Sequence, residues 1–225
     1  MNPPHDRIAL ENSMTEPGKH STSGGKKEDP DQEDTGRPRL ADQRDIETVY
    51  QPAEDSKLLA DTVVEEIDSG QRILDVGTGS GYVAARLREE TGAEAVGVDL
   101  NPDACKQAFR NGVPVVRGDM FEPFSDNSFD TVVCTPPYLP TPPEREWDDW
   151  MERALSGGED GRAMVDPFLD GVSRVLREGG EAYLLISTLT GPEEVRSFAQ
   201  RQGLESEVIA EESHPFEKLL VVRFW

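Results

Sequence analysis

Apolar and polar positions divide the chain near residue 46. Residues 1–45 are rich in Glu, Asp, Lys, Gly, Ser, Thr and Pro and show almost no apolar periodicity. Such a stretch buries too little to offset the entropy of ordering, so an acidic, disordered N-terminal tail is expected there. Met14 within it is a candidate native start. Order is expected from Ile46. Asp55 is placed to cap a helix running to Ile67, with Leu58, Leu59, Val63 and Ile67 on one face. The run from Arg72 to Val76 reads as a buried parallel strand, and a helical pattern follows from Tyr82 to Glu90. A second apolar run from Ala95 ends in Asp99. Asn101 and Pro102 then supply an N-cap and a first-turn proline for a helix through Arg110.

The rest of the pattern continues the alternation. A short strand is expected from Val113 to Val116, ending near Asp119, and another from Phe129 to Cys134. Beyond a long Pro- and acid-rich stretch, a helix is expected from Arg162 to Arg177 and a strand from Glu181 to Ser187. A helix from Gly191 to Gln202 precedes two strands, Glu205 to Ala210 and Lys218 to Phe224, that can pair as a hairpin at the sheet edge. Residues 46–225 therefore predict one α/β domain: a doubly wound, seven-stranded, mostly parallel sheet with a C-terminal antiparallel hairpin. Ligands in such a sheet bind at the C-terminal ends of the strands.

Composition changes the picture in one respect. The formal charge is −22, and the 23 bases are 17 Arg against 6 Lys. The acids are spread over every predicted helix, which suits a protein made for high salt better than one acidic interaction face; at about 1 M salt the Debye length is near 3 Å and such self-repulsion is screened. No run approaches the roughly 18 apolar residues of a membrane helix, and the N-terminus has no signal-peptide core, so a cytoplasmic protein is expected. Cys105, Cys134 and three scattered histidines have no zinc-ligand spacing, and both thiols read as packed.

Candidate chemistry begins at Gly77-Thr78-Gly79-Ser80-Gly81, directly after the first strand. Glycine lets the backbone turn tightly and lets a ligand approach closely. The spacing is Gly-x-Gly-x-Gly, not the Gly-x-Gly-x-x-Gly of dinucleotide sites, so a pyrophosphate is not the expected ligand. Asp99 follows at the end of the next strand, where a carboxylate suits two ribose hydroxyls. A corner that needs glycine for packing alone is the rival reading.

These segments resemble the class I S-adenosylmethionine-dependent methyltransferases, a Rossmann-like superfamily. More narrowly they resemble the HemK-type protein glutamine methyltransferases of the archaeal and eukaryotic branch. The resemblance runs from Val49 to Phe224. It rests on Val49-Tyr50-Gln51-Pro52-Ala53-Glu54-Asp55-Ser56, Leu74 through Gly81, Asp99-Leu100-Asn101-Pro102, Thr135-Pro136-Pro137-Tyr138 with Thr141-Pro142-Pro143 behind it, and Gly157-Gly158-Glu159-Asp160-Gly161-Arg162.

The resemblance implies S-adenosyl-L-methionine as cofactor. Its methionyl end would lie against Asp75, Gly77 and Gly79 with Ser56 nearby, its ribose on Asp99 and its adenine amino group on Asp119. The family's Asn-Pro-Pro-Tyr motif corresponds to Thr135, Pro136, Pro137 and Tyr138, which makes Thr135, Pro136 and Tyr138 the implied catalytic residues, with Thr135 also at the cofactor. In the family the Asn carbonyl and the next residue's backbone carbonyl hold the two N–H groups of a planar amide, and the Tyr ring packs on it. Here Thr135 replaces Asn: a hydroxyl still accepts one hydrogen bond but is shorter. The resemblance further implies, as substrate, the Gly-Gly-Gln glutamine of a class I peptide release factor and, as partner, a small zinc-binding activator protein at the sheet edge near Val113 to Val116.

Two other readings compete. An N6-adenine or other nucleic-acid amino methyltransferase shares the Pro-Pro-Tyr chemistry but calls for a basic phosphate track, whereas the stretch after Tyr138 carries Glu144, Glu146, Asp148 and Asp149. A cofactor-binding module that has lost its activity would account for Thr135. Trp147 and Trp150, at i,i+3, could share one face of a short helix over the site, where ordinary packing is expected rather than substrate stacking. His214 and the last two strands read as structural.

Overall fold

The computed structural model describes residues 49–142 and 150–225. The expected tail over 1–45, Ile46 to Thr48, Pro143 and the acidic segment with Trp147 lie outside the described residues. The elements are α1 (Glu54–Glu66), β1 (Arg72–Val76), α2 (Tyr82–Thr91), β2 (Glu94–Asp99), α3 (Pro102–Arg110), β3 (Val115–Arg117), β4 (Phe129–Cys134), α4 (Trp150–Leu155), α5 (Val165–Val175), β5 (Leu176–Ser187), α6 (Pro192–Arg201), β6 (Ser206–Ser213) and β7 (Lys218–Phe224). No helix among the described residues is long and apolar enough to cross a membrane.

The seven strands lie in the order β3-β2-β1-β4-β5-β7-β6. Neighbours from β3 to β5 are parallel, while β7 runs antiparallel to both β5 and β6. The expected hairpin is therefore present, with its second strand inserted inside the sheet and β6 left at the edge. Alternation sets the two faces. Leu74, Val76, Val132, Cys134, Leu184 and Ile186 pack on one side with Phe168, Leu169 and Val172 of α5. Ile73, Val133, Tyr183 and Leu185 pack on the other with Leu59 and Val63 of α1 and Leu87 of α2. Burial on both faces is why these strands read as unbroken apolar runs.

Several boundaries differ from expectation, each for a local reason. Asp55 is not a cap: Ala53 holds the N-cap position of α1 without a side-chain bond, and Asp55 is buried one residue inside the helix. Its carboxylate instead accepts the Ser56 N–H at 2.6 Å and the Tyr50 hydroxyl at 3.4 Å. The β3 strand is only three residues and starts two residues late, because Val113 is drawn into the core beside α3. Helix α5 is shorter than expected, and β5 begins at Leu176, with a register shift against β4 between Phe129 and Thr131. Asn101 does cap α3, accepting the Asp103 N–H at 2.9 Å. Cys105 and Cys134 are free thiols, the second fully buried, and burial raises the pKa of each.

Strand order reverses between β1 and β4, so the helices following these two strands leave to opposite faces. The crevice outside their C-terminal ends is the ligand position of an open α/β sheet.

Candidate active site

The glycine corner after β1 folds back over β2. The Gly77 and Thr78 N–H groups both donate to the Val98 carbonyl, at 2.9 and 3.0 Å, and the Gly81 N–H donates to Thr78. The Gly79 N–H donates to Asp99 Oδ2 at 2.9 Å. The N–H groups of Gly77, Thr78, Gly79 and Gly81 are thus taken up within the protein and not left for a phosphate. Gly81 has φ +81°, and a Cβ there would meet the Ala108 Cβ at 3.0 Å and the Val113 Cγ2 at 3.1 Å. That position needs glycine for both conformation and close approach.

Asp75 points into this corner from β1. Its Oδ2 accepts the Thr78 hydroxyl at 2.7 Å and the Ala84 N–H at 3.2 Å. Burial pushes its carboxyl up to about 7, against the lowering effect of those two bonds, with the Asp99 charge raising it further. Asp99 closes β2. Its Oδ1 accepts the Asn101 N–H at 2.8 Å, and burial raises its carboxyl above the ordinary value. The Leu100 N–H bonds the same carboxylate, and a carboxylate's four acceptor positions still leave room for an outside donor.

These groups border one cleft of about 630 Å³, well inside the range of small-molecule sites. Of the sequence-predicted residues, Ser56, Asp75, Gly77, Gly79, Asp99, Asp119 and Thr135 all line it. Pro136 is buried and Tyr138 half-buried, and neither is part of the lining; Pro137 is instead. Tyr138 packs against the core cluster of α1 and α2. Burial and the Asp55, Glu217 and Tyr50 groups around its hydroxyl raise its pKa. Thr135 Oγ1 is buried without a hydrogen-bond partner among the described residues.

The segment Gly157 to Arg162 clips the Thr135–Tyr138 turn in place. The Gly157 N–H donates to Leu139 at 2.9 Å, and the Thr141 N–H donates to Gly158 at 2.8 Å. Gly161 has φ +77°, and a Cβ there would stand 2.6 Å from the Tyr138 carbonyl oxygen. Arg162 bonds the Thr190 carbonyl at 2.7 Å and Asp160 at 2.6 Å.

Sequence reasoning did not identify Met120, Arg153 and Met164, which line the cleft as well. Met120 is one of two non-glycine residues with positive φ among those described, at 38°, a strained setting at the cleft wall. Nothing in the local sequence announces it. Trp150, expected only to pack, also lines the cleft, with the Arg153 guanidinium 5.1 Å from its ring centroid. No metal-binding group of acids, histidines and cysteines exists among the described residues.

Comparison with known proteins identifies the family and the fold. A methyltransferase domain family model matches residues 73–157. The chain is 34% identical over 183 residues to a putative protein N5-glutamine methyltransferase of Methanocaldococcus jannaschii, covering 79% of this chain and 91% of that one. It is 31% identical over 192 residues to the human methyltransferase HEMK2, covering 78% and 89%. Among solved structures, the E. cuniculi Mtq2-Trm112 complex, described as responsible for methylation of the eRF1 translation termination factor, superposes with a TM-score of 0.67 at 28% identity, covering 79% of this chain and 98% of that one. The chain belongs to the HemK-type protein glutamine methyltransferases, within the class I methyltransferase fold.

Proposed function

We propose, from that membership, that the protein uses S-adenosyl-L-methionine to methylate N5 of the glutamine in the Gly-Gly-Gln motif of a class I peptide release factor. The observation that carries the reading is the buried Thr135 hydroxyl at the cleft wall, without a partner among the described residues, on a proline-framed turn at the end of β4. The cleft fits the cofactor: about 630 Å³, with acids at the ends of neighbouring strands. Asp99 would take the ribose hydroxyls, Asp119 the adenine amino group, and Asp75 with Gly77, Gly79 and Ser56 the methionyl end.

The bound cofactor supplies a methyl group on a sulfonium, an electrophile that needs no metal. An amide nitrogen is a weak nucleophile because its lone pair is delocalised, so the protein's task is orientation. The Thr135 hydroxyl and the Pro136 carbonyl accept the two amide N–H bonds, and the fixed φ of proline keeps that carbonyl directed. Tyr138, hydrogen-bonded to Asp55, holds the turn against α1. Well-aligned positioning of this kind can lower a barrier by roughly 7–11 kcal/mol. With the cofactor held by Asp75, Asp99 and Asp119, its sulfonium would supply the methyl group to the oriented nitrogen, and the surplus amide proton would leave to solvent.

The same reading includes a small zinc-binding activator. β3 is an edge strand with Val116 exposed, and Leu100 and Phe109 beside it are exposed at 47% and 73%. An unpaired edge with apolar neighbours suits strand addition by a partner, and Trm112 accompanies Mtq2 in the similar structure. The acid excess supports a high-salt, cytoplasmic setting, where translation factors are met.

Incubation with methyl-labelled cofactor in about molar salt, followed by mass spectrometry, tests the reaction: one methyl on the Gly-Gly-Gln glutamine is expected. Label on adenine in RNA or DNA instead, or cofactor binding with no transfer, would replace this reading.

A further inference from the structure

The C-terminal strand ends carry apolar side chains that the core does not use. Phe216, in the β6–β7 turn, is 94% exposed, Leu189 after β5 is 47% exposed, and Leu139 after the Pro-Pro-Tyr turn is 39% exposed. A short series of contacts joins them beside the turn that bears Thr135 and Tyr138. The Tyr138 carbonyl and the Thr190 methyl lie 2.6 and 2.9 Å from the same Gly161 Cβ position, so Leu139 and Leu189 adjoin residues packed at one spot. The Lys218 N–H donates to Thr188 at 3.0 Å, and the Ser187 hydroxyl donates to Glu217, which brings the Phe216 turn to the end of β5. Glu217 is also one of the charges acting on the Tyr138 hydroxyl.

We propose that Leu139, Leu189 and Phe216 form the docking rim for the protein substrate, gripping the surface that flanks its acceptor glutamine. The inference rests on the function proposed above. A glutamine on a folded protein that reaches Thr135 brings its flanking surface against the turn bearing Tyr138, beside these three residues. Exposed aromatic side chains beside a catalytic mouth cost solubility and contribute nothing to this core, whereas aromatic anchors dominate binding at protein interfaces. The turn is pinned at Thr188 and Ser187, so Phe216 is presented at little ordering cost. Glu211 and Glu212 at the end of β6 and Glu217 beside Phe216 outnumber the nearby Lys218, which pairs with Glu211, and His214 pairs with Glu212, so the turn keeps an excess of acid that suits basic groups around an apolar patch on the partner.

The test compares wild type with Phe216→Ser, Leu189→Ser, the double variant and Phe216→Leu, using the full chain and intact release factor. Val208→Ser, an exposed apolar residue on β6, is the control. The double variant is expected to raise KM for release factor by on the order of tenfold, the loss of a moderate hot spot. Its kcat, its cofactor affinity by calorimetry and its Tm should stay at wild-type values, while Phe216→Leu and Val208→Ser should keep KM. An unchanged KM in an active double variant overturns the rim, as does a parallel fall in kcat and cofactor affinity. A wild-type protein inert toward release factor overturns the proposed function, and the rim falls with it.

Discussion

Asp99 and Gly79 are tied across 20 residues: the carboxylate that closes β2 accepts the glycine N–H at 2.9 Å. The acid therefore faces the cleft and also holds the corner that shapes it. Asp99→Ala is expected to weaken S-adenosylmethionine binding by about 1.5–3 kcal/mol for each charged hydrogen bond lost. Asp99→Asn, which keeps one acceptor oxygen, should lose less. Calorimetry on folded variants measures the difference, and unchanged affinity in Asp99→Ala removes Asp99 from the ribose.

Thr135 separates stability from catalysis. Thr135→Val removes a buried hydroxyl with no partner among the described residues, so it is expected to stabilise the fold, by up to about 1 kcal/mol, and raise Tm while lowering the methylation rate. Thr135→Asn, which supplies a planar acceptor, should preserve or raise the rate. A rate unaffected by either change would place the amide elsewhere.

Asp75 gives the site a pH dependence. Its folded value, about 7, lies above the ordinary 3.8. The protonated carboxyl thus contributes stability that is fully present below about pH 4 and lost as pH rises to about 7. The unliganded Asp75→Asn variant should accordingly gain in Tm relative to wild type between pH 5 and pH 8. Cofactor affinity in wild type should increase through about pH 7, since the ionised acid is the form that attracts a cation. Calorimetric titrations at both pH values check the two trends together, and a flat profile would contradict them.

Gly161→Ala should disturb the turn that bears Tyr138. The substitution adds a Cβ 2.6 Å from the Tyr138 carbonyl oxygen at φ +77°, a left-handed position that costs an L-residue about 1–2 kcal/mol before any clash. A fall in kcat with cofactor affinity intact is expected. Equal loss of both would show that the clip supports the whole cleft.

Co-expression with a small zinc protein from the same organism should raise yield and activity. Phe109→Asp, at a position 73% exposed beside the edge strand, should break the pair in pull-down assays. Full activity of a monodisperse monomer would remove the partner.

Period and punctuation in the sequence determined the sheet: apolar runs of strand length, glycines after β1, and Asn101-Pro102 opening α3 are local signals, because backbone conformation and capping depend on near neighbours. The family was legible for a related reason, since its motifs are contiguous segments. What lay beyond reach depends on distant groups meeting. Asp55 reads as a cap because its position suits one, yet burial against Tyr50 and the Tyr138 turn, 88 residues away from Tyr50 in the chain, gives its carboxylate other partners. The raised pKa of Asp75 arises from burial that no window around it contains. The Gly157–Arg162 segment becomes a clip only once Leu139, Thr141 and Thr190 are folded against it. Met120 and Arg153 enter the cleft because chain closure brings them there. Local chemistry thus set the elements and the family, while tertiary packing decided which side chains share the cleft and in what charge state they meet a ligand.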